Sequence, residues 1–241
     1  MISVIIAAYN EEKRIQPSLF KIKEFVTEHG MDYEIIVVDD GSTDRTSKVV
    51  MHSTNDVPHL EVISYKKNRG KGYALRQGVL ASKGEIVLLT DADLSTPIEE
   101  LSVLLPLVYD NKCDIAIGSR ALALSEIIRK QPWWRQSMGK LFNKVVKVLV
   151  IDDFSDTQCG FKMFSGDIAR GLFKEARINR FAYDVEILAL AKKKGYRILE
   201  MPIRWINSPE SKVNPIADSL NMIVDLLKIR LNVGSVKSKN F

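Results

Sequence analysis

Histidine and cysteine are scarce in this chain, with three of the first and two of the second among 241 residues. His29, His52 and His59 show no HExxH or other ligand spacing, so they read as surface or helix-end residues rather than zinc ligands. Cys113 and Cys159 stand far apart and form no CxxC pair, which argues against a disulfide framework or a thiolate metal site and fits a reducing cytoplasm. With so few histidines, no convincing Ser-His-Asp or Cys-His arrangement exists, and covalent hydrolase chemistry falls away. No segment holds the roughly 18 consecutive apolar residues that a membrane span needs. The first residues run from Met1 straight into Ile2-Ser3-Val4-Ile5-Ile6, without the basic region and cleavage site of a signal peptide. A soluble or peripheral protein on the cytoplasmic side is expected. There is no GxxxxGK[ST] or GxGxxG loop. No dense basic arm interleaves with aromatics, so nucleic acid is not an expected partner.

What is present suits one large α/β domain. The chain is 46% hydrophobic and 27% charged, apolar enough for a sizeable core. Its net charge of +5 suits phosphate-rich ligands or an anionic membrane surface. Short β-branched runs predict strands at Ile2–Ala8, Tyr33–Asp39, Leu60–Ser64, Glu85–Thr90 and Asp114–Gly118. Helical periodicity falls between them, at about Glu12–His29, Thr43–Ser53, Gly72–Ala81 and Ile98–Tyr109. Apolar strands alternating with amphipathic helices mean a mainly parallel sheet covered on both faces, an α/β/α sandwich. Ligands of such sheets sit at the carboxyl ends of the strands.

Four successive strand ends carry chemistry-bearing residues. After the first comes Tyr9-Asn10-Glu11-Glu12, and after the second Asp39-Asp40-Gly41-Ser42-Thr43-Asp44. The third is followed by Lys66-Lys67-Asn68-Arg69-Gly70-Lys71-Gly72, the fourth by Asp91-Ala92-Asp93. Two carboxylates at i and i+2 beyond a buried strand suit a hard divalent cation, Mg²⁺ or Mn²⁺, which also uses substrate phosphates as ligands. An acidic turn without a metal is the plainer alternative. An Asx turn with Ser42 or Thr43 as helix cap explains Ser42–Asp44, but not Asp40, which could accept hydrogen bonds from ribose or base. The glycine-flanked Lys71, near a helix start, could meet a phosphate or a base.

Taken together, Ile5–Glu12, Val37–Asp44, Asn68–Gly72 and Asp91-Ala92-Asp93 resemble family 2 glycosyltransferases of the GT-A fold. Gly118-Ser119-Arg120, Asp156–Lys162, Arg180–Glu186 and Ser211-Lys212 resemble the narrower branch of dolichyl-phosphate glucosyltransferases and mannose synthases. The resemblance implies a GT-A domain over residues 1–213, with 214–241 a C-terminal helical extension and tail of the same domain. It also implies roles residue by residue. Ala7, Tyr9, Glu11 and Asp40 would lie on the nucleobase and ribose side, with Lys71 nearby. Asp91 and Asp93 would be the metal side, Asp93 the main ligand. Ser95 stands where mannose synthases place a glutamine ligand, which departs from the pattern. Arg120, Arg135, Arg204 and Lys212 would serve the acceptor phosphate and the donor diphosphate. Asp156, Gln158 and Asp184 would lie near the transferred sugar.

The activity implied is an inverting transfer of a hexose, glucose or N-acetylglucosamine, from a UDP-sugar to dolichyl or polyprenyl phosphate. Such an acceptor is already ionised and needs arginine forks rather than a general base. A glycan hydroxyl acceptor is the alternative, with Asp184 or Glu186 as the base. A non-catalytic nucleotide-sugar binding module is the reading from another class, disfavoured by the intact Asp91 and Asp93. In the less regular second half, periodicity predicts helices at Met138–Val150, Ala182–Lys194 and Pro215–Leu231, and a strand at Arg197–Ile203. Within Arg129–Val150, Met138, Leu141, Phe142, Val145 and Leu149 share one side and Lys140, Lys144 and Lys147 the other. That stretch suits either a membrane surface, with Trp133 and Trp134 at headgroup depth, or core packing with a solvated lysine face.

Overall fold

The computed structural model describes residues 1–129, 131–208 and 215–234, the backbone alone for 215–220. The expectations for Lys130, Ser211 and Lys212, and for the tail beyond Gly234, lie outside the described residues. In chain order the elements are β1 (Ile2–Ala8), α1 (Ile15–Glu28), β2 (Tyr33–Asp39), α2 (Thr46–Ser53), β3 (Leu60–Ser64), α3 (Lys71–Ala81) and β4 (Ile86–Asp91). A short 3₁₀ turn, Ile98–Glu100, leads into α4 (Leu101–Tyr109) and β5 (Ile115–Ser119). The second half holds β6 (Glu126–Arg129), α5 (Trp133–Leu149), β7 (Lys162–Ser165), α6 (Gly166–Glu175), α7 (Tyr183–Lys193), β8 (Ile198–Pro202), β9 (Arg204–Ile206) and α8 (Pro215–Asn232).

Seven strands form one sheet in the order β3-β2-β1-β4-β7-β5-β8, with β6 and β9 paired separately. Every pairing in the large sheet is parallel except those of β7 with β4 and β5. Because alternate residues of a strand face opposite sides, the strands feed two cores. Ile5, Ile36, Val38, Val87 and Leu89 pack under α3, α6 and α7. Val4, Ile6, Ile35, Val37 and Leu88 pack under α1, α2 and α4. This is the α/β/α sandwich of a GT-A domain. The extension α8 is joined to the first core through Met222, Leu226 and Ile229, packing beside α5 and α7.

The topology collects the site at one edge. The carboxyl ends of β1, β2, β3, β4 and β5 all point the same way, so Tyr9, Asp40, Tyr65, Asp91 and Arg120 follow at a common rim. The reversed β7 brings its first residue to that rim, since Lys162 pairs with Leu89 of β4 and Ile117 of β5.

Some expectations are corrected. Neither Ser42 nor Thr43 caps α2, whose N-cap position is Arg45 with no side-chain cap bond: Asp44 accepts the Thr46 amide at 2.9 Å, while the Ser42 hydroxyl accepts the Asn10 amide at 2.9 Å. The Asx turn expected in this stretch sits at Asp44, whose Oδ1 accepts the amide two residues on, and Asp39 Oδ1 also accepts the Ser42 amide at 3.1 Å. α5 begins at Trp133 rather than Met138, placing both tryptophans and Arg135 in its first turn. On α5, Phe142, Val145 and Leu149 of the expected apolar side pack against the first core around buried Val146, while Leu141 is exposed.

Candidate active site

Local geometry at the rim begins with Asp40. Its buried carboxylate accepts four hydrogen bonds from the β3–α3 loop: Tyr65 Oη (2.8 Å), Asn68 Nδ2 (2.9 Å) and the Arg69 and Gly70 amides (2.8 Å each). Burial, then the Asp40 charge, pushes the Tyr65 hydroxyl far above its ordinary titration range, so it stays a donor. Asp40 therefore organises the loop that delivers Lys71. Two glycines make this loop possible. A Cβ at Gly70, where φ is +101°, would lie 2.5 Å from the Asn179 carbonyl oxygen, and one at Gly72 would lie 2.6 Å from the Tyr183 Cβ. The glycine-flanked lysine is thus a close approach between α3 and the start of α7.

Lys71 Nζ stands 2.5 Å from Asp91 Oδ1. Burial would weaken both charges, but each outweighs that for the other, so Lys71 is held up and Asp91 held down; Arg120 and Lys162 add to the pull on Asp91. Asp91 also packs on bare backbone: a Cβ at Gly160 would fall 2.3 Å from its Oδ2. Asp91 is the last residue of β4 rather than a loop residue, opposite Ala7 of β1.

Beside this pair, Arg120 grips Asp156. Its Nε and Nη2 donate to the two carboxylate oxygens at 2.6 and 2.9 Å, and its backbone amide donates at 3.1 Å. Burial alone would raise the Asp156 carboxyl, yet the Arg120 fork overrides it and holds the group at about 2. The Gln158 amide closes the turn onto Asp156 Oδ1 at 3.1 Å. The Arg120 guanidinium lies 5.5 Å from the centre of the Trp205 ring. Deeper in, Lys162 Nζ reaches Asp184 Oδ1 at 2.5 Å and also donates to the Cys159 carbonyl. Burial dominates at Asp184 and raises its carboxyl despite Lys162 and Lys71.

The remaining site candidates are dispersed. Glu11 is bound at both oxygens by Arg14, whose guanidinium also reaches Asp93 Oδ2 at 3.1 Å; Asp93 Oδ1 accepts the Ser95 amide at 3.0 Å. Tyr9 follows directly on β1, half-buried. Arg204, on β9, donates to the buried Glu100 at 2.5 Å. Arg135 stacks at 5.8 Å on Trp134 in the first turn of α5. Glu186, considered as a base, accepts the Arg177 and Ile178 amides and holds the α6–α7 turn. Sequence reasoning missed Arg14, Tyr65, Trp205 and the role of Lys162. Arg14 had one signal, its i,i+3 spacing from Glu11.

Residues 3–173 match the profile of glycosyl transferase family 2. A dolichyl-phosphate beta-glucosyltransferase of Dictyostelium discoideum is 35% identical over 252 residues, covering 98% of this chain and 77% of that protein. The enzyme of the same name from Homo sapiens is 36% identical over 242 residues, covering 95% and 75%. Among solved structures, glucosyl-3-phosphoglycerate synthase from Mycobacterium tuberculosis, in complex with Mn²⁺, UDP-glucose and phosphoglyceric acid, superposes with a TM-score of 0.73. It is 18% identical and covers 97% of this chain and 79% of that one. The chain belongs to glycosyl transferase family 2. It is a hexosyltransferase on a GT-A fold.

Proposed function

We propose that the chain moves glucose from UDP-glucose to the phosphate of dolichyl phosphate, or of a related polyprenyl phosphate, with inversion at the anomeric carbon. The observation that carries this reading is the state of the carboxylates at the rim. Lys71 holds Asp91, Arg14 holds Asp93, Arg120 holds Asp156, Lys162 holds Asp184, and backbone amides hold Glu186. An acceptor hydroxyl needs a base within reach of its proton. A phosphate monoester at neutral pH needs none, and it gains from the cations that this rim supplies. The names of the curated relatives support glucose and dolichyl phosphate; N-acetylglucosamine, open from the sequence, gains no such support.

In the reaction, an oxygen of the acceptor phosphate attacks C1 of the sugar, and the bond from C1 to the UDP oxygen breaks. Lys71 and Arg120 offer positive charge where negative charge gathers, and Asp156 fixes the Arg120 fork. Tyr9, Glu11 and Ala7 line the path to the nucleoside from the β1 side. Asp91 and Asp93 fit a hard divalent ion: they supply hard oxygens two residues apart, held at present by monovalent side chains. Among the described residues no group of three His, Cys, Asp or Glu side chains could hold a metal, so the donor diphosphate would complete its shell. The bound ion would supply charge neutralisation for the departing diphosphate. Mg²⁺ and Mn²⁺ both suit this donor set.

No helix among the described residues is long and apolar enough to cross a membrane. We assign the lipid-facing side to α5, at the cytoplasmic face of a membrane. Trp133 (79% exposed) and Leu141 (64%) stand out from it beside exposed Lys140 and Lys144. One observation favours a second reading, transfer to a glycan hydroxyl: burial raises the Asp184 carboxyl, which makes it a better proton acceptor. A donor panel of radiolabelled UDP-glucose, UDP-N-acetylglucosamine and GDP-mannose tests the proposal, with a short polyprenyl phosphate as acceptor. Turnover with UDP-glucose at least tenfold above the others supports it. Preference for GDP-mannose would overturn the donor assignment.

A further inference from the structure

Arg14, which holds Asp93, bridges three segments of this rim. Its Nε and Nη2 clasp Glu11 at 2.7 and 2.6 Å. Its Nη1 donates both to Asp93 Oδ2, at 3.1 Å, and to Ser208 Oγ, at 2.6 Å. One guanidinium thus joins the β1–α1 loop, the turn after β4 and the exit of β9. It does so half-buried, with the Arg14 and Asp93 side chains each 18% exposed and Glu11 11%. A pocket of about 320 Å³ opens here, with Arg14, Asp93 and Ser208 among its walls together with Lys13 and Lys21. Asp93 is therefore reachable by a small ion, and the position on its Oδ2 is held by a cation that belongs to the protein.

We infer that Arg14 is a positioning residue and a placeholder. It keeps Asp93 and Ser208 in place before the donor arrives, and it yields Asp93 Oδ2 to the divalent ion that comes with the donor. The inference rests on the metal-dependent reading above. The guanidinium and the divalent ion compete for one carboxylate and repel each other in partly screened surroundings, so the guanidinium weakens binding of a bare divalent ion. Only the added negative charge of the diphosphate tips the exchange, which ties metal loading to donor loading. Once Asp93 is released, the guanidinium keeps Glu11 and Ser208, so the β9 exit stays docked.

The test titrates Mn²⁺ into the protein and follows free Mn²⁺ by electron paramagnetic resonance, with and without UDP. The wild type is expected to bind Mn²⁺ weakly alone and much more tightly with UDP. Arg14→Gln is expected to bind Mn²⁺ alone about 5- to 20-fold more tightly, the size of one removed unit charge at this range, while kcat falls. The variant thus depends less on UDP than the wild type does. Arg14→Lys, which keeps the charge but not the fork, is expected to retain wild-type Mn²⁺ affinity, and Arg14→Met, which also removes the charge, carries the comparison if the glutamine variant fails to fold. A merely structural role would lower metal binding and turnover together. Unchanged or weaker Mn²⁺ binding in Arg14→Gln, with UDP-supported binding intact in the wild type, would overturn the inference and leave the metal reading standing. No Mn²⁺ binding to the wild type even with UDP would overturn both.

Discussion

Lys162 and Asp184, 22 residues apart in sequence, meet at 2.5 Å with side chains only 1% and 5% exposed. The pair pins β7 to α7 directly behind Asp91, whose charge Lys162 also helps to stabilise. Removing one partner of such a pair strands the other charge, which costs about 3–5 kcal/mol. Lys162→Met is therefore expected to lower stability by that order, read as a fall in the urea midpoint at unchanged slope. A loss under about 1 kcal/mol would show that Asp184 is not held by this bond.

Acid should act through Asp156. Its folded carboxyl titrates at about 2, below the ordinary aspartate value of about 3.9, because Arg120 outweighs burial. A depressed carboxyl stabilises the fold fully above about pH 4, and the contribution fades as pH falls toward about 2. The shift corresponds to about 2–3 kcal/mol. Unfolding free energy measured from pH 5 to pH 2 is expected to fall less steeply in Asp156→Asn than in the wild type. Parallel curves would contradict the Arg120–Asp156 assignment.

Gly160 and Gly171 make a matched pair. A Cβ at Gly160 would strike Asp91 Oδ2 at 2.3 Å, whereas one at Gly171, within α6, would meet nothing within 4 Å. Gly160→Ala should displace the Asp91 carboxylate and lower transfer at least tenfold. Gly171→Ala should raise stability by about 1 kcal/mol through helix propensity alone and leave turnover unchanged. Steady-state kinetics and thermal melts of both variants check the contrast.

Asp93 is accessible from the pocket, and no core packing rests on its carboxylate. Asp93→Asn keeps the shape and removes the charge. It is expected to cut kcat by about 10²–10³, the scale of losing one preorganised electrostatic contact, with a melting temperature close to wild type. Full activity in this variant would remove Asp93 from the metal side.

The first half of the fold could be read from the sequence because its signals are local. β1, β2 and β3 are β-branched runs closed by acidic or glycine-rich turns, and each begins and ends where periodicity places it. The same logic put Tyr9, Asp40, Lys71 and Asp91 at one rim. β7 was not legible, because Lys162-Met163-Phe164-Ser165 is short and opens on a lysine. A lysine is buried in a strand only when a carboxylate meets it, and that carboxylate lies on α7. Glu186 misled for a related reason. Beside Asp184 it looks like a second acid at the site, yet its partners are the amides of Arg177 and Ile178, which sequence spacing does not reveal. The pairing of Arg204 with Glu100 across β9 is likewise one that sequence spacing does not reveal.

The central claim is transfer of the sugar to a lipid phosphate. The direct measurement supplies purified protein, UDP-[¹⁴C]glucose and Mg²⁺ or Mn²⁺ with either a polyprenyl phosphate or the same polyprenol without its phosphate. Label is expected in the organic phase with the phosphate alone, lost on adding EDTA. Equal or greater labelling of the free alcohol would contradict the account and turn attention to Asp184 as a base.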